Sequence, residues 1–508
     1  MRPLPSLATR DRVTDAVLVV SCGIAQAAAL AVAAFATRDA FAALHAGHVL
    51  QVVTIVELTL SAVVAALCQL QSRCRGEALG QSYAIALRRA LYAQIARLPK
   101  ARHDARRVGA LSLRFVGDLS AARMWFGRGL PDVLTAAVVL PGAVFILFSL
   151  DPILAGFGLM PLGLALGVMA GTAWHLERRH RQLRRRRANI AISMIERIAI
   201  APELDLMGRT EKELRGLDEQ GAALKVDAVA RRGRTVGLQS ILQMGVGLSG
   251  LAILWLASRS GIAPAVVAAS LSVLALVALP LRDLGVAWDH YCAWRVAREK
   301  ARNLLAEPTV RRQSAQHSVP IGVRLIGRIE DNPVDFSTVG GTIARLEHEN
   351  AAQLARIVAG LDHVEGVDLQ FDGQIQTPRV SFIGDDHVGL QGSLRRSATL
   401  SAVKRPKGAT IRKTLRAFGL GALLASPRGL DQRIAENGRG LTAAQTLRLD
   451  LARAALGKAD IVVISSLRWQ ADADQDALLT TLRRFVPATV ILAQSSLPCG
   501  AAEKQKVI

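Results

Sequence analysis

Glu57 is the residue that most invites chemistry. It lies near the middle of an apolar run long enough to cross a bilayer, where an ionised side chain costs at least about 2.5 kcal/mol unless it meets a partner or water. Thr54 and Ser61, three residues before it and four after, share its helical face. The three polar side chains form a stripe suited to a water-filled path. A carboxyl held protonated or hydrogen-bonded by a neighbouring helix is the plainer account. Phosphate chemistry has less to stand on. A phosphate-cradling loop needs glycines and a lysine between a strand and a helix, whereas Gly457-Lys458 follows a helical segment and Lys407-Gly408 has the reverse order. His45 and His48 lack a third ligand for a metal. Asp289-His290 has no nucleophile near it in sequence. Cys22, Cys68, Cys74, Cys292 and Cys499 show neither a CxxC pair nor a metal-ligand spacing and read as packing residues.

The elements that must position these groups divide the chain of 508 residues in two. Half the residues are hydrophobic, 51%, yet only 4% are aromatic, a balance that points to lipid-facing helices. Six stretches of about 20 residues can span a bilayer, at approximately 14–36, 48–70, 131–150, 152–174, 236–257 and 262–281. No small-residue cleavage site clearly ends the first, so it is expected to be retained. The formal charge of +22 comes largely from the two long connections, including the run Arg184 to Arg187. By the positive-inside rule both long loops and both termini are expected in the cytoplasm, and the chain in the cytoplasmic (inner) membrane. The arginine run has no interleaved aromatics, so a helix face near lipid headgroups is favoured and no nucleic-acid partner is expected.

Helical periodicity continues through the long loops, from Ala78 to Leu98 and from Ile190 to Ala230, and after span six from Trp288 to Leu305. Composition changes at Glu307-Pro308. Beyond Val323 no stretch is long enough to span. Val380 to Ile383, Ile461 to Ile464 and Thr489 to Leu492 read as buried parallel strands, with helices over Ala351 to Leu361, Thr442 to Leu456 and Ala473 to Phe485. The expected domains are a membrane domain at 1–306, a linker at 307–322 and an α/β domain at 323–508.

This layout resembles a type I ABC exporter half-transporter. In the first long loop Gly109, Arg114 and Asp118 match the family's spacing, and in the second Glu196 and the run from Ala201 to Arg209 resemble its counterpart. Leu430 to Ser466 parallels the signature helix and the strand after it, Gly392 to Leu400 the segment after the Q-loop, and Ala355 to Leu361 the helix that follows a Walker A loop. The resemblance therefore implies six transmembrane helices with long cytoplasmic helical extensions, plus a C-terminal α/β domain of the P-loop-NTPase, ABC-ATPase-like class.

The same resemblance implies that the chemistry has been replaced. Its register puts the Walker A loop on Arg345 to Gln353, so the lysine position holds Ala351 and the Mg²⁺-ligating position Ala352. No glycine remains there, and Glu347 and Glu349 would face a triphosphate with like charge. The strand-end carboxylate positions hold Ser465 and Ser466, the Q-loop glutamine position Asp385 and the switch histidine position Ser495. The signature reads Leu441, Thr442, Ala443, Ala444, Gln445, with two alanines for glycines, while Asp472 matches the D-loop aspartate. The implication is a degenerate nucleotide-binding domain that does not hydrolyse ATP by itself. It has no cofactor of its own, and any ATP and Mg²⁺ would sit at a composite site with a partner. The expected partners are the lipid membrane and a second half-transporter in a heterodimer, with this chain supplying half of a substrate path. A membrane receptor, scaffold or regulator that keeps the fold without ATP is the alternative, and a transporter driven by another gradient through Glu57 a third.

Overall fold

A computed structural model of the chain describes residues 3–104, 117–310, 320–329, 332–372 and 378–494. Gly109, Arg114, Ser495, Cys499 and the linker segment 311–319 lie outside the described residues, as do the side chains of Glu196 and Arg184 to Arg187. Two compact units emerge: Met1–Ala96 with Ala105–Glu307, and Arg97–Asp104 with Pro308–Ile508.

The first unit is helical. Its helices are α1 (Arg10–His45) and α2 (Val52–Ile95), while α3 (Lys100–Asp104) belongs to the second unit. The unit continues with α4 (Leu119–Met124), a π-helical turn (Trp125–Gly129), α5 (Leu130–Leu150), α6 (Pro152–Ala199), α7 (Ala201–Leu206), α8 (Thr210–Ser260) and α9 (Pro264–Leu305). Six helical stretches are long and apolar enough to span a membrane: α1, α2, Leu119–Leu150, Pro152–Met169, Gln239–Ser260 and α9. Each falls on one of the six apolar runs in the sequence. The expected helical continuations are also present. At 1.5 Å per residue the 44 residues of α2 extend about 66 Å, twice the roughly 30 Å hydrocarbon core.

Short connections are built by local chemistry. Asp151 caps α6, its Oδ1 accepting from the amides of Ile153 and Leu154, both at 2.8 Å, and Pro152 occupies the first helical position, where a missing N–H costs nothing. Between α8 and α9, Gly261 takes a left-handed conformation (φ +61°) before Pro264 starts the next helix. Inside the bundle, Leu30, Val139, Ile146, Leu162, Val273 and Leu281 form a core. Phe145, Met160, Leu164 and Leu251 stay exposed, as lipid-facing side chains do.

The third span crosses α2 almost backbone to backbone. A Cβ on Gly80 would lie 2.6 Å from both the Arg123 carbonyl oxygen and the Gly127 Cα, so a methyl cannot enter unless the helices separate. Gly80→Ala is expected to destabilise the unit by about 1–3 kcal/mol through overpacking. Gly156→Ala, with nothing within 4 Å of its Cβ, should be neutral. Thermal unfolding of the detergent-solubilised chain compares them, and equal midpoints would show that the Gly80 crossing can relax.

The second unit is α/β. Its strands are β1 (Val323–Ile329), β2 (Asn332–Thr338), β3 (Ile343–Glu347), β4 (Val367–Phe371), β5 (Val380–Ile383), β6 (Gly392–Ser393), β7 (Arg433–Ile434), β8 (Ile461–Ile464) and β9 (Thr489–Gln494). Its helices, after α3, are α10 (Ala351–Val358), α11 (Leu394–Ala398), α12 (Gly408–Ala417), α13 (Gly421–Leu424), α14 (Ala443–Gly457), α15 (Leu467–Gln470) and α16 (Gln475–Phe485). A parallel sheet runs β3-β9-β8-β5, and β8 is buried along its whole length, as an apolar run covered on both faces requires. The sequence reading missed the antiparallel sheet β2-β1-β4. Its strands alternate buried and exposed residues, with Gly327 interrupting β1, so no continuous apolar run marks them. The segment Arg97–Asp104 is fastened into this unit by hydrogen bonds from the amide of Lys100 to the Leu361 carbonyl, 2.8 Å, and from the amide of Ala101 to Asp362 Oδ1, 2.9 Å.

Candidate functional site

The β3–α10 connection decides what the α/β unit can hold. The sequence reading took Arg345 to Gln353 as loop, but Arg345, Leu346 and Glu347 are strand residues, paired with Leu492, Ala493 and Gln494 of β9. Only three residues, 348–350, then separate β3 from α10. A phosphate-cradling loop is longer because it has to wrap around an anion and point its amides inward. Here the amides turn on the connection itself. Asn350 donates to His348 Nδ1 at 2.9 Å, Ala351 to the His348 carbonyl at 3.0 Å, and Gln353 to the Asn350 carbonyl at 3.0 Å. Ala351 is 2% exposed and packs inward, whereas Ala352 is exposed. Glu347 and Glu349 are exposed, the latter accepting from Asn332 Nδ2 at 3.0 Å.

The end of β8 carries hydroxyls and a cation. Ser466 is buried and caps α15, its Oγ accepting from the Arg468 amide at 3.2 Å. Asp385 accepts from the Leu467 amide at 2.6 Å, so it serves the same short helix. The guanidinium of Arg468 donates to Thr446 Oγ1 at 3.0 Å, to Asp450 Oδ2 at 3.2 Å and to the Gly384 carbonyl.

Sequence reasoning missed the cluster behind it. Asp450, on α14, has Arg453 Nη1 at 3.0 Å, Arg468 Nη2 at 3.2 Å and His387 Nδ1 at 2.9 Å. Arg453 also donates to the Ser397 and Val388 carbonyls and to Ser397 Oγ, each at 2.6 Å. Burial pushes its guanidinium below the ordinary arginine range and Asp450 opposes the shift. A usable signal existed in the sequence: Asp450 interrupts the apolar positions Leu449 and Leu451 of the signature helix, where an unpaired carboxylate would be costly.

The signature residues begin α14 at the surface. Thr442, Ala443 and Ala444 are exposed, Leu441 and Gln445 half-buried. Thr442 and Gln445 form a capping box: the Gln445 amide donates to Thr442 Oγ1 at 3.2 Å, and the Thr442 amide to Gln445 Oε1 at 3.0 Å. The threonine hydroxyl thus holds the helix start. Asp472 is buried, accepts from the Asp474 amide at 2.9 Å and lies 3.5 Å from Arg448 Nη2. A cavity of about 1200 Å³ opens elsewhere in this unit, lined by Ile357, Asp362, Val380, Val403 and Gly457 among others, and none of the residues 347–352, 441–445 or 465–466 lines it.

In the membrane unit the expected stripe is divided. Thr54 and Ser61 are buried, at 8% and 6% exposure, and Ser61 Oγ donates to the Leu58 carbonyl at 2.9 Å. Glu57 is exposed within this unit. The reason is angular: Thr54 and Ser61 are seven residues apart, two near-complete turns, while Glu57 is rotated about 40–60° from them and falls outside the packed seam. Among the described residues no group of three His, Cys, Asp or Glu could hold a metal ion.

Comparisons with known proteins agree with this architecture. Residues 17–260 match the family described as the ABC transporter transmembrane region. A solved bacterial Atm1-family ABC exporter with ATP bound superposes with a TM-score of 0.78 at 17% identity, over 97% of this chain and 92% of that one. No curated protein matches the chain by sequence.

Proposed function

The chain is an integral membrane protein with the ABC exporter fold, and we propose that it is a pseudo-half-transporter: it supplies one half of a transmembrane substrate path while ATP is turned over by a partner. The observation that carries this reading is the three-residue β3–α10 turn whose amides bond to His348 and Asn350. Where a phosphate loop would present a lysine, inward-turned amides and a hydroxyl, this turn offers an inward-packed Ala351, two exposed glutamates and Ala352. The first unit keeps the six spans that a path needs. ABC exporters act as dimers, and a homodimer of this chain would contain two such turns. A heterodimer retains one composite site, built from the partner's phosphate loop and this chain's Leu441 to Gln445, of which Thr442, Ala443 and Ala444 are exposed. The working position is the inner membrane, with both termini cytoplasmic.

The experiment is made on the complex. Once a half-transporter that co-purifies with the chain has been isolated, replacing that partner's phosphate-loop lysine by alanine should abolish ATP turnover by the pair. Ala352→Asp here, which adds one more carboxylate at the exposed start of α10, should leave turnover within about two-fold. Loss of turnover from the Ala352 change, with the partner's lysine dispensable, would reverse the assignment.

A further inference from the structure

Between Asp386 and Asp431 the chain has nine Lys or Arg and not one Asp or Glu. The fold gathers most of these cations at one surface. Lys404, Arg405 and Lys407 are exposed in the loop before α12, and Arg412, Lys413 and Arg416 are exposed on the helix itself, whose Ile411, Thr414 and Leu415 are buried in the core of the unit. None of these six has a carboxylate within 4 Å among the described residues. The guanidiniums of Arg395 and Arg412 converge on Gly408, their nitrogens 3.3 and 3.8 Å from where its Cβ would stand. Arg395 is paired with Asp431 at 3.4 Å, while the six cations of the loop and α12 have no such partner, so an anionic partner gains more from them than from a surface of mixed sign. Two large apolar side chains just before this loop are exposed as well: Leu400 at 43% and Val403 at 72%.

We propose that this face, the Lys404–Lys407 loop with α12, binds an acidic segment of another protein that carries apolar side chains among its carboxylates. Three features select that chemistry. Exposed Leu400 and Val403, four residues and one residue before Lys404, offer apolar contacts that a phosphodiester backbone would leave uncovered. From 387 to 430 the one aromatic residue is Phe418, which is buried, so no ring is available to stack a base. The apolar face of α12 is turned into the core, and the helix cannot roll it into a bilayer as an interfacial amphipathic helix does. Arginine-rich surfaces with a small apolar centre are the composition expected of a protein interface.

The test uses the full chain in neutral-lipid nanodiscs and three probes: a fluorescein-labelled 16-residue peptide of alternating Glu-Glu-Leu, a single-stranded 16-nucleotide DNA, and vesicles containing anionic phosphatidylserine. The peptide should bind saturably and more tightly than the DNA, with vesicle binding no greater than for the charge-reversed chain. Reversing Arg412, Lys413 and Arg416 to Glu should weaken the peptide at least ten-fold and flatten its salt dependence. Val403→Ser with Leu400→Ser should weaken it several-fold at unchanged salt slope. Neutral Gln replacements at the same three cations, intermediate in effect, guard against misfolding of the reversed variant. Absent peptide binding, binding indifferent to both variants, or a preference for DNA or anionic vesicles would overturn the proposal.

Discussion

Purified without a partner and reconstituted in lipid, the chain should turn over ATP no faster than a preparation lacking it, at least about a thousand-fold below an intact ATPase of this fold. Phosphoryl transfer asks little covalent chemistry of a protein and depends on groups that position phosphates and neutralise developing charge. On the proposed reading the β3–α10 turn lacks those groups: the amides of Asn350, Ala351 and Gln353 have internal acceptors, and Glu347 and Glu349 add negative charge at the surface. At the end of β8, Ser466 caps α15 by accepting from the Arg468 amide. The deficits are coupled, so no single residue repairs them. Ser466→Glu should remain inactive, because a restored carboxylate would still lack a lysine and a phosphate-wrapping loop across the site. The measurement is phosphate release by the wild-type chain and by Ser466→Glu, each preparation checked for contaminating ATPase. Activity in either one that vanishes when a residue from 345 to 353 is changed would end the pseudo-transporter reading.

The parts of this architecture that are legible in the sequence are those with a one-dimensional signature. Six apolar runs became six helical spans, and the strands Val380 to Ile383 and Ile461 to Ile464 lie where their β-branched runs place them. Helix α14 starts one residue after its capping threonine. What escaped is whatever depends on pairing. The antiparallel strands β1, β2 and β4 owe their registry to each other, and the extension of β3 through Glu347 to Gln494 of β9; periodicity in one segment carries neither. Glu57 shows the limit at the level of a single side chain. Thr54, Glu57 and Ser61 share a face on a helical wheel, but the edge of the packed seam runs between them, and only the positions of neighbouring helices determine on which side of that edge a residue falls.

Asp450→Ala should destabilise the α/β unit by about 3–5 kcal/mol, far beyond the loss of one surface ion pair. The side chain of Asp450 is 12% exposed and its cationic neighbours Arg453 and Arg468 are 9% and 11% exposed. Removing the carboxylate leaves two guanidiniums facing one another in a poorly hydrated site, and an uncompensated buried charge costs several kcal/mol. Arg453 still has the Ser397 and Val388 carbonyls and Arg468 the Gly384 carbonyl and Thr446 hydroxyl, but none of these acceptors is charged. Arg468→Ala should cost less, since Asp450 keeps Arg453 and His387. Replacing Asp450, Arg453 and Arg468 together by leucine should recover much of the loss, because well-packed apolar groups avoid the desolvation that buried ion pairs must offset. Amide hydrogen exchange of the full chain, read over Ala443 to Gly457, reports the local opening free energy for each variant. If Asp450→Ala stays within about 0.5 kcal/mol of the native chain, the cluster is solvated like a surface pair and does not hold α14 against the Gly384 and His387 segment. If the loss appears and the triple leucine variant restores it, these charges act by fixing where α14 packs. On the proposed heterodimer reading, the Thr442 to Ala444 edge would then meet a partner's phosphate loop on a rigid mount.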